Sequence, residues 1–353
     1  ENAIKYEPEN PSHYYYLSEL KTDILVPQLK TKIEKIIQNE KASKLSLSFG
    51  NFLLAKFEQK NKNFEKEFDH LVKAHNFFFD SKKEKFNLGV KYCFEDVIQI
   101  SHGVKVHDLE KSTKNIIRPI FIIGTPRCGS TLIEKIIGSG PKPVLMGEEI
   151  AAVENFINLK ILEKQSLDLG AAEEIRNELI ECYKQKGLIS EKFDYLFTDK
   201  SLNNFFYLEL IKSIFPDAKI VHCKRNLLSS IVSIFQNNLY ALPWAHNLDN
   251  ILKYFDNYLN IINNFNKKYP GFIYEVQLED LINNPEAESK KLMNFCELKW
   301  DKKCLEFYKR KDLISKTTSN LQIRKSIYQH SPEKDLPYKQ FLNRYGDNYS
   351  WFN

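Results

Sequence analysis

The stretch 118–137, RPIFIIGTPRCGSTLIEKII, limits the possible fold of this chain more than any other. Its apolar run Ile120–Ile123 reads as a buried strand, the segment Gly124–Thr131 as a turn, and the remainder as a helix. That order gathers unpaired N–H groups and the positive end of a helix dipole at one point, which suits an anion, although the same pattern also serves as a tight connection. The turn spells Gly-x-x-x-x-Gly-Ser-Thr, a P-loop except at one position. The nucleotide-binding form carries Lys before the final Ser/Thr, where its ammonium neutralises the β- and γ-phosphates during transfer. Here that position is Ser130, and the cation lies earlier, at Arg127.

Further apolar runs at 195–198, 219–223 and 272–276 alternate with longer helical stretches. The alternation predicts right-handed crossovers and an α/β, mostly parallel, doubly wound sheet. Ligands of such sheets bind at the carboxyl ends of strands, and three of the expected strands end in suggestive residues: Gly124–Thr131, Asp199–Lys200 and Lys224–Arg225. Lys200 could supply the charge the turn lacks; alternatively, Asp199 could hold magnesium as a Walker B carboxylate. Arg225 alone reads as a surface cation. Paired with Ser233, one face of the next helix along, it suits a terminal phosphate, because guanidinium binds phosphate through two parallel donors and a hydroxyl completes the cradle.

Residues 1 to about 100 read as helical, rich in Lys and Glu, with neither Gly nor Pro between Gln28 and Phe49. Ala3 and Pro8 have the spacing that ends a tetratricopeptide (TPR) unit, Tyr14 and Leu17 that of the next beginning, and Leu54, Phe64, Leu71 and Ala74 give a weaker echo. An irregular helical bundle is the competing reading. The polar segment SHGVKVHDLEKSTKNIIRP separates this region from the alternating one, so the expected domains are 1–110, helical and TPR-like, and 116–353, α/β. The missing initial Met agrees with trimming from a longer repeat protein.

The net charge of +5 comes from 51 basic and 46 acidic residues that alternate along the chain, without the basic stripe of a nucleic-acid binder. No run approaches the ~20 apolar residues that span a bilayer, and the polar, acidic start carries no secretory signal, so a cytoplasmic protein with no membrane association is expected. Six dispersed cysteines include no Cys-x-x-Cys and read as free thiols, and no metal site is expected. His222 and His246 lie in apolar surroundings, where a lone His is more often packed than catalytic.

Taken together these residues resemble the sulfotransferases, most closely the tyrosylprotein sulfotransferases and the bacterial TPR-containing sulfotransferases. The family's 5′-phosphosulfate loop corresponds to Pro126, Arg127, Cys128, Gly129, Ser130, Thr131 and Leu132; its Gly-Glu-Glu segment to Gly147, Glu148 and Glu149. Asp199-Lys200-Ser201-Leu202-Asn203-Asn204-Phe205 matches an Asp-Lys-x-Pro-x-Asn-Phe stretch, and Arg225 with Ser233 the 3′-phosphate motif. TTSNLQIRKSIY matches a Thr-x-Ser-x-x-Gln-x-Arg segment that sets Ser319, Gln322 and Arg324 near the donor. The likeness covers about residues 116 to 345. Cys128, Ser130 and Leu202 depart from the pattern, as do Leu278 and Leu336, where relatives often carry an aromatic residue beside the adenine and a Trp.

The resemblance implies the sulfotransferase version of the P-loop NTPase-like fold and a donor, 3′-phosphoadenosine 5′-phosphosulfate (PAPS), whose product is PAP. Sulfuryl carries less charge than a terminal phosphoryl, so no metal is required. Lys200 and Ser319 would stabilise the leaving bridging oxygen, and Arg127 the transferring group. Glu149, or Glu148 beside it, would be the general base for an acceptor hydroxyl on peptide tyrosine, a small alcohol, a phenol or a sugar; as a bare pair these carboxylates would equally suit the first turn of a helix. The rivals are a P-loop kinase or NTPase, and a catalytically inactive helical-repeat protein that binds a protein partner. The 25 Phe and 18 Tyr leave material for a homodimer face.

Overall fold

The computed structural model describes residues 1–107, 117–190, 196–310 and 332–352. It divides into two compact units, one of Glu1–Phe94, Leu227–Asp256 and Pro332–Asn353, the other of Glu95–Asn226 and Asn257–Ser331.

The first unit is helical, and its helices start where the sequence supplies caps. Ser43 accepts a hydrogen bond from the Ser46 N–H at the start of Lys44–Lys60, and Asn63 accepts one from Lys66 N–H before Phe64–Ser81. Proline, which has no N–H to leave unpaired, opens Pro11–Leu20 and Pro27–Gln38. The core gathers Phe49, Phe52, Leu53, Phe68, Leu71 and Phe78 from the two longest of these N-terminal helices.

That core also encloses polar groups. His75 and His246 are buried with their Nδ1 atoms 3.0 Å apart, and the Phe235 carbonyl lies 2.7 Å from His75 Nε2. A carbonyl only accepts, so His75 carries its proton on Nε2 and its Nδ1 accepts from His246. Rings of Phe235 and Phe78 stack on the two imidazoles. Nearby in the same unit, Glu67 accepts hydrogen bonds from the Tyr338 hydroxyl (2.6 Å) and the side-chain amides of Gln236 and Gln59 (3.0 Å each). His246, which the sequence left as either catalytic or packed, is thus a packed, hydrogen-bonded core residue.

The second unit holds two sheets. Strands β1 (Lys105–His107) and β4 (Asp168–Ala171) form a short parallel pair. The larger sheet is parallel throughout, in the order β3-β5-β2-β6-β7, with β2 Arg118–Gly124, β3 Leu145–Met146, β5 Leu196–Asp199, β6 Lys219–Lys224 and β7 Ile273–Gln277. β2 is central because its unbroken apolar run can be buried on both faces, as a parallel sheet requires. One face packs Ile120, Ile122 and Val221 against Ile133, Ile136 and Ile137 of the helix Ser130–Gly138. The chain leaves β2 for one side of the sheet through β3 and β5, then crosses to the other through β6 and β7. The carboxyl end of β2 is therefore the topological switch point where such sheets bind ligands. The expected strands are present, shifted by a residue or two, with residue 195 outside the described residues; β1, β3 and β4 were not foreseen. Among the described residues no helix is long and apolar enough to cross a membrane.

Candidate active site

The Gly-rich turn leaves β2 at Gly124 and enters the helix Ser130–Gly138 through Gly129, at φ +95°. Arg127 also lies in the left-handed region, at φ +69°, an unfavourable place for a side-chain-bearing residue. Its carbonyl accepts a hydrogen bond from Arg225 Nη1 at 2.8 Å, so the cation at the end of β6 braces the turn after β2. Gly129 must stay small as well as left-handed, since a Cβ there would stand 2.7 Å from Leu278 Cδ1. Leu278 is thus a neighbour of the loop, which no spacing in the sequence could show.

Cys128 is buried within the turn, in hydrogen-bonding contact with the thiol of Cys223 on β6. That contact lowers the Cys128 pKa, while burial pushes Cys223 well above the usual thiol range. The Cys128 side chain also takes hydrogen bonds from the Ser130 backbone and side chain, so it fastens the turn to β6 from within. Ser130 is half-buried and Thr131 buried in the helix's first turn, with Leu132 following; Pro126 is buried before them.

The next two motifs are stitched to one another. Gly147 N–H donates to the Thr198 carbonyl at 3.0 Å, and Lys200 N–H donates to the Glu148 carbonyl at 2.8 Å, extending the β3–β5 pairing past both strand ends. A Cβ on Gly147 would lie 2.3 Å from the Thr198 oxygen, so the glycine preceding the two acids is required by this close approach. Glu148 and Ala151 both have positive φ, at +48° and +49°, so the backbone turns sharply on either side of Glu149. Ala151 N–H donates to Ser201 Oγ at 2.8 Å, and Asn203 Nδ2 to both oxygens of Glu154, which fixes the far side.

Lys200, 1% exposed, donates from Nζ to Glu149 Oε1 at 3.3 Å, while the Glu149 side chain is 47% exposed. One end of this ion pair is thus buried and the other open to solvent. Asp199 beside it accepts from Tyr183 Oη (2.6 Å) on one oxygen, and from Ser201 N–H (3.0 Å), Ser201 Oγ (2.5 Å) and Asn204 Nδ2 (2.9 Å) on the other. Four donors on a carboxylate with no solvent exposure make it a fastener for the strand end. The oxygens that a Walker B role needs are already engaged.

On β6, His222 is buried and accepts on Nε2 from Tyr258 Oη at 2.5 Å, while its Nδ1 lies 3.2 Å from Glu275 Oε1 on β7. The hydrogen bond from His222 holds the Glu275 carboxyl down to about 2, and burial lowers the His222 pKa. Tyr258 closes the imidazole off, so His222 braces two strands.

The structure therefore brings Glu148, Glu149 and Lys200 together, and Arg127 with Arg225. Ser233 belongs to the helical unit, half-buried on the helix Leu227–Phe235, with its carbonyl accepting from Asn237 Nδ2. Ser319, Gln322 and Arg324 lie outside the described residues. Among the described residues no group of three or more His, Cys, Asp or Glu is placed to hold a metal ion.

One site residue escaped sequence reasoning. Glu134, in the helix that follows the turn, has no solvent exposure; its Oε1 accepts from Thr198 Oγ1 at 2.7 Å and Glu148 N–H at 3.0 Å. The available signal was a carboxylate inside the apolar run LIEKII, one helical turn after Ser130.

Comparison with known proteins adds a family and several likenesses. Residues 119–302, over half of the chain, match the family described as the Sulfotransferase family. A protein of Aquifex aeolicus (strain VF5), described as uncharacterized, is 31% identical over 329 residues; the match spans 88% of this chain but 42% of that protein, so this chain corresponds to less than half of its relative. Among solved structures, the sulfotransferase domain of the Synechococcus PCC 7002 olefin synthase overlays with a TM-score of 0.42 at 17% identity, covering 67% of this chain and 98% of that one. Sulfotransferase STF1 of Mycobacterium tuberculosis H37Rv gives 0.38 at 14% identity, over 80% and 92%. Mouse sulfotransferase SULT7A1, solved with PAP, gives 0.38 at 11%, over 73% and 92%.

Proposed function

The chain belongs to the sulfotransferase family, and from that premise we propose that it transfers a sulfuryl group from PAPS to an acceptor hydroxyl by in-line displacement. The observation that carries this reading is the ion pair between buried Lys200 and solvent-facing Glu149. Its place at the end of β5, the neighbour of β2, sets it beside the turn that departs from a nucleotide loop only by lacking lysine.

The residues present fit such a donor. The left-handed turn at Arg127 and Gly129 leads into a helix N-terminus, whose dipole favours an anion, and Arg127 and Arg225 supply positive charge around it. PAPS supplies a sulfuryl group on a phosphate whose bridging oxygen gains charge as that bond breaks. Lys200 stabilises this charge as a fixed donor already stripped of water, Arg127 neutralises the transferring group, Arg225 holds the 3′-phosphate, and Ser233 keeps the role that the resemblance implies. Glu149 accepts the acceptor's proton from its solvent-facing side; Glu148 is the alternative base. Ser319, Gln322 and Arg324 keep the roles that the resemblance implies.

We place the transferase domain at 116–353 and the TPR-like segment at 1–110, in a cytoplasmic protein. The acceptor is a peptide tyrosine or a small alcohol, phenol or sugar. The helical segment recruits a protein partner, and a homodimer is compatible with the aromatic content.

PAP should raise the melting temperature, because a ligand selective for the folded state stabilises it. Labelled PAPS should pass its sulfuryl group to at least one member of a panel of peptides, phenols and glycans, with undiminished rate in EDTA and with no ATP turnover in magnesium. Calorimetry that finds no PAP binding at millimolar concentration sinks the proposal; ATP turnover in its place would favour a kinase.

A further inference from the structure

Glu134 offers two oxygens with different surroundings. Oε1 is taken by Thr198 and by the backbone of Glu148, whereas Oε2 is buried without a hydrogen bond, 3.9 Å from the Lys200 ammonium. The same ammonium reaches Glu149 on its other side at 3.3 Å. One lysine, 1% exposed, thus stands between a carboxylate shut off from water and one that faces it.

We propose that Glu134 is a positioning residue for the transfer step: it fixes the backbone beneath Glu148 and Glu149, and it retains the Lys200 ammonium when Glu149 takes up the acceptor's proton. The inference rests on the reading of Glu149 as base. As the acceptor O–S bond forms, the acceptor O–H proton passes to Glu149, and the S–O bond to the phosphate breaks with its electron pair left on the bridging oxygen. Protonation cancels the charge that had paired Lys200. A buried ammonium with no counter-charge would tend to lose its proton, and with it the charge needed on the leaving oxygen. Glu134 supplies that counter-charge throughout without itself exchanging a proton or forming a bond. Burial raises the Glu134 pKa, and the Lys200 charge is the leading influence drawing it back down. Among the described residues, the other titratable groups near Lys200 include Glu148 and Asp199, the latter occupied by its four donors, and the Cys223 thiol, whose pKa burial raises.

The test is the charge-neutral variant Glu134→Gln, which keeps an oxygen for Thr198 and Glu148. Three measurements are made on the full chain: titration of the Lys200 ammonium by NMR of labelled lysine, PAP affinity by calorimetry, and the pH profile of kcat. The ammonium should bind its proton at least about tenfold more weakly. The alkaline limb of kcat should move down by the same step, kcat should fall about a hundredfold, and PAP affinity should stay within about threefold. The charge-retaining Glu134→Asp should recover part of the lost limb. A Lys200 titration unchanged in Glu134→Gln, with only a lower melting temperature, would leave Glu134 structural and overturn the inference. Should that chain fail to fold, Glu134→Asp decides, since a retreating carboxylate must still weaken the ammonium measurably. Absence of transfer in the unmodified protein would remove the sulfuryl-transfer reading, whereas the NMR titration would still judge the Glu134–Lys200 coupling.

Discussion

Glu67 in the helical unit and Glu134 in the sheet unit are both closed to solvent, at 1% and 0% exposure, yet their partners differ in kind. Glu67 is held by neutral donors, a tyrosine hydroxyl and two side-chain amides, and burial raises its pKa. Glu134 has one oxygen held by neutral donors and the other directed at an ammonium, which in turn reaches a solvent-facing carboxylate. A neutral network of the first sort cross-links helices and needs no access to water. In the second, charge is carried from the interior to the surface, and that is the arrangement a proton-transfer reaction can use.

The largest effect should come from removing the cation. Lys200→Ala should lower the transfer rate by about 10²-fold or more. It should also cost about 3–5 kcal/mol of stability, because it leaves Glu134 buried without its counter-charge. Denaturant melts and single-turnover assays would measure both losses. A chain that keeps its stability would mean that Glu134 is already neutral, and the contrast with Glu67 would collapse.

Acidification should next separate the units. His75 titrates at about 4 and His246 at about 2, both pushed down chiefly by burial, so the unfolded chain binds protons more readily than the folded helical unit. The stability this pair contributes is complete above the unfolded value near 6.5 and is lost as pH falls toward about 4; for His75 it amounts to roughly 3 kcal/mol. Glu67 works in the opposite sense: its raised pKa stabilises the folded state fully below the unfolded carboxylate value, and that contribution fades as pH rises through its folded value. Two of the three tryptophans, Trp244 and Trp351, belong to the helical unit and Trp300 to the other, so in a Trp300→Phe background tryptophan emission should report the helical unit's melting. Between pH 7.5 and 4.5 the transition should fall, and a double variant His75→Phe with His246→Phe should flatten the slope. Equal slopes would clear the pair of any part in acid lability.

The smallest effects sharpen the comparison at single hydrogen bonds. Tyr338→Phe, which removes a donor to Glu67, and Tyr183→Phe, which removes one from Asp199, should each cost about 1–3 kcal/mol. Of the two, only Tyr183→Phe should also slow transfer, because Asp199 fastens the strand end that carries Lys200. Rates altered equally by both changes would undo the division between cross-link and site.

Much of this site could be read from the chain, for reasons that differ by residue. The turn after β2 was legible because Gly124, Gly129, Ser130 and Thr131 are contiguous, and a contiguous strand–turn–helix has few ways to fold. Lys200 was legible as a cation at a strand end, but its company with the two glutamates was legible only through resemblance, since nothing local ties residue 149 to residue 200. Gly147 became intelligible with the fold: its hydrogen atom is all that fits against the Thr198 carbonyl. Glu134 was not legible at all, because a carboxylate in an apolar run has no assigned partner until two strands and a helix converge on it.

The sequence by itself determined four strands of the larger sheet, β2, β5, β6 and β7, and that β2 would be buried, because apolar run length acts locally; the short β1, β3 and β4 carried no such run. It also set the sharp turn after β2, through a glycine, Gly129, that admits positive φ, and placed a cation, Arg127, inside the loop. Only the tertiary structure decided which of the buried acids would face an ammonium and which would face neutral donors. Partners such as Glu134 with Lys200, Glu67 with Tyr338 and His75 with His246 are separated by tens to hundreds of residues. Their protonation depends on burial and on charges that come within a few ångströms only when the chain has closed.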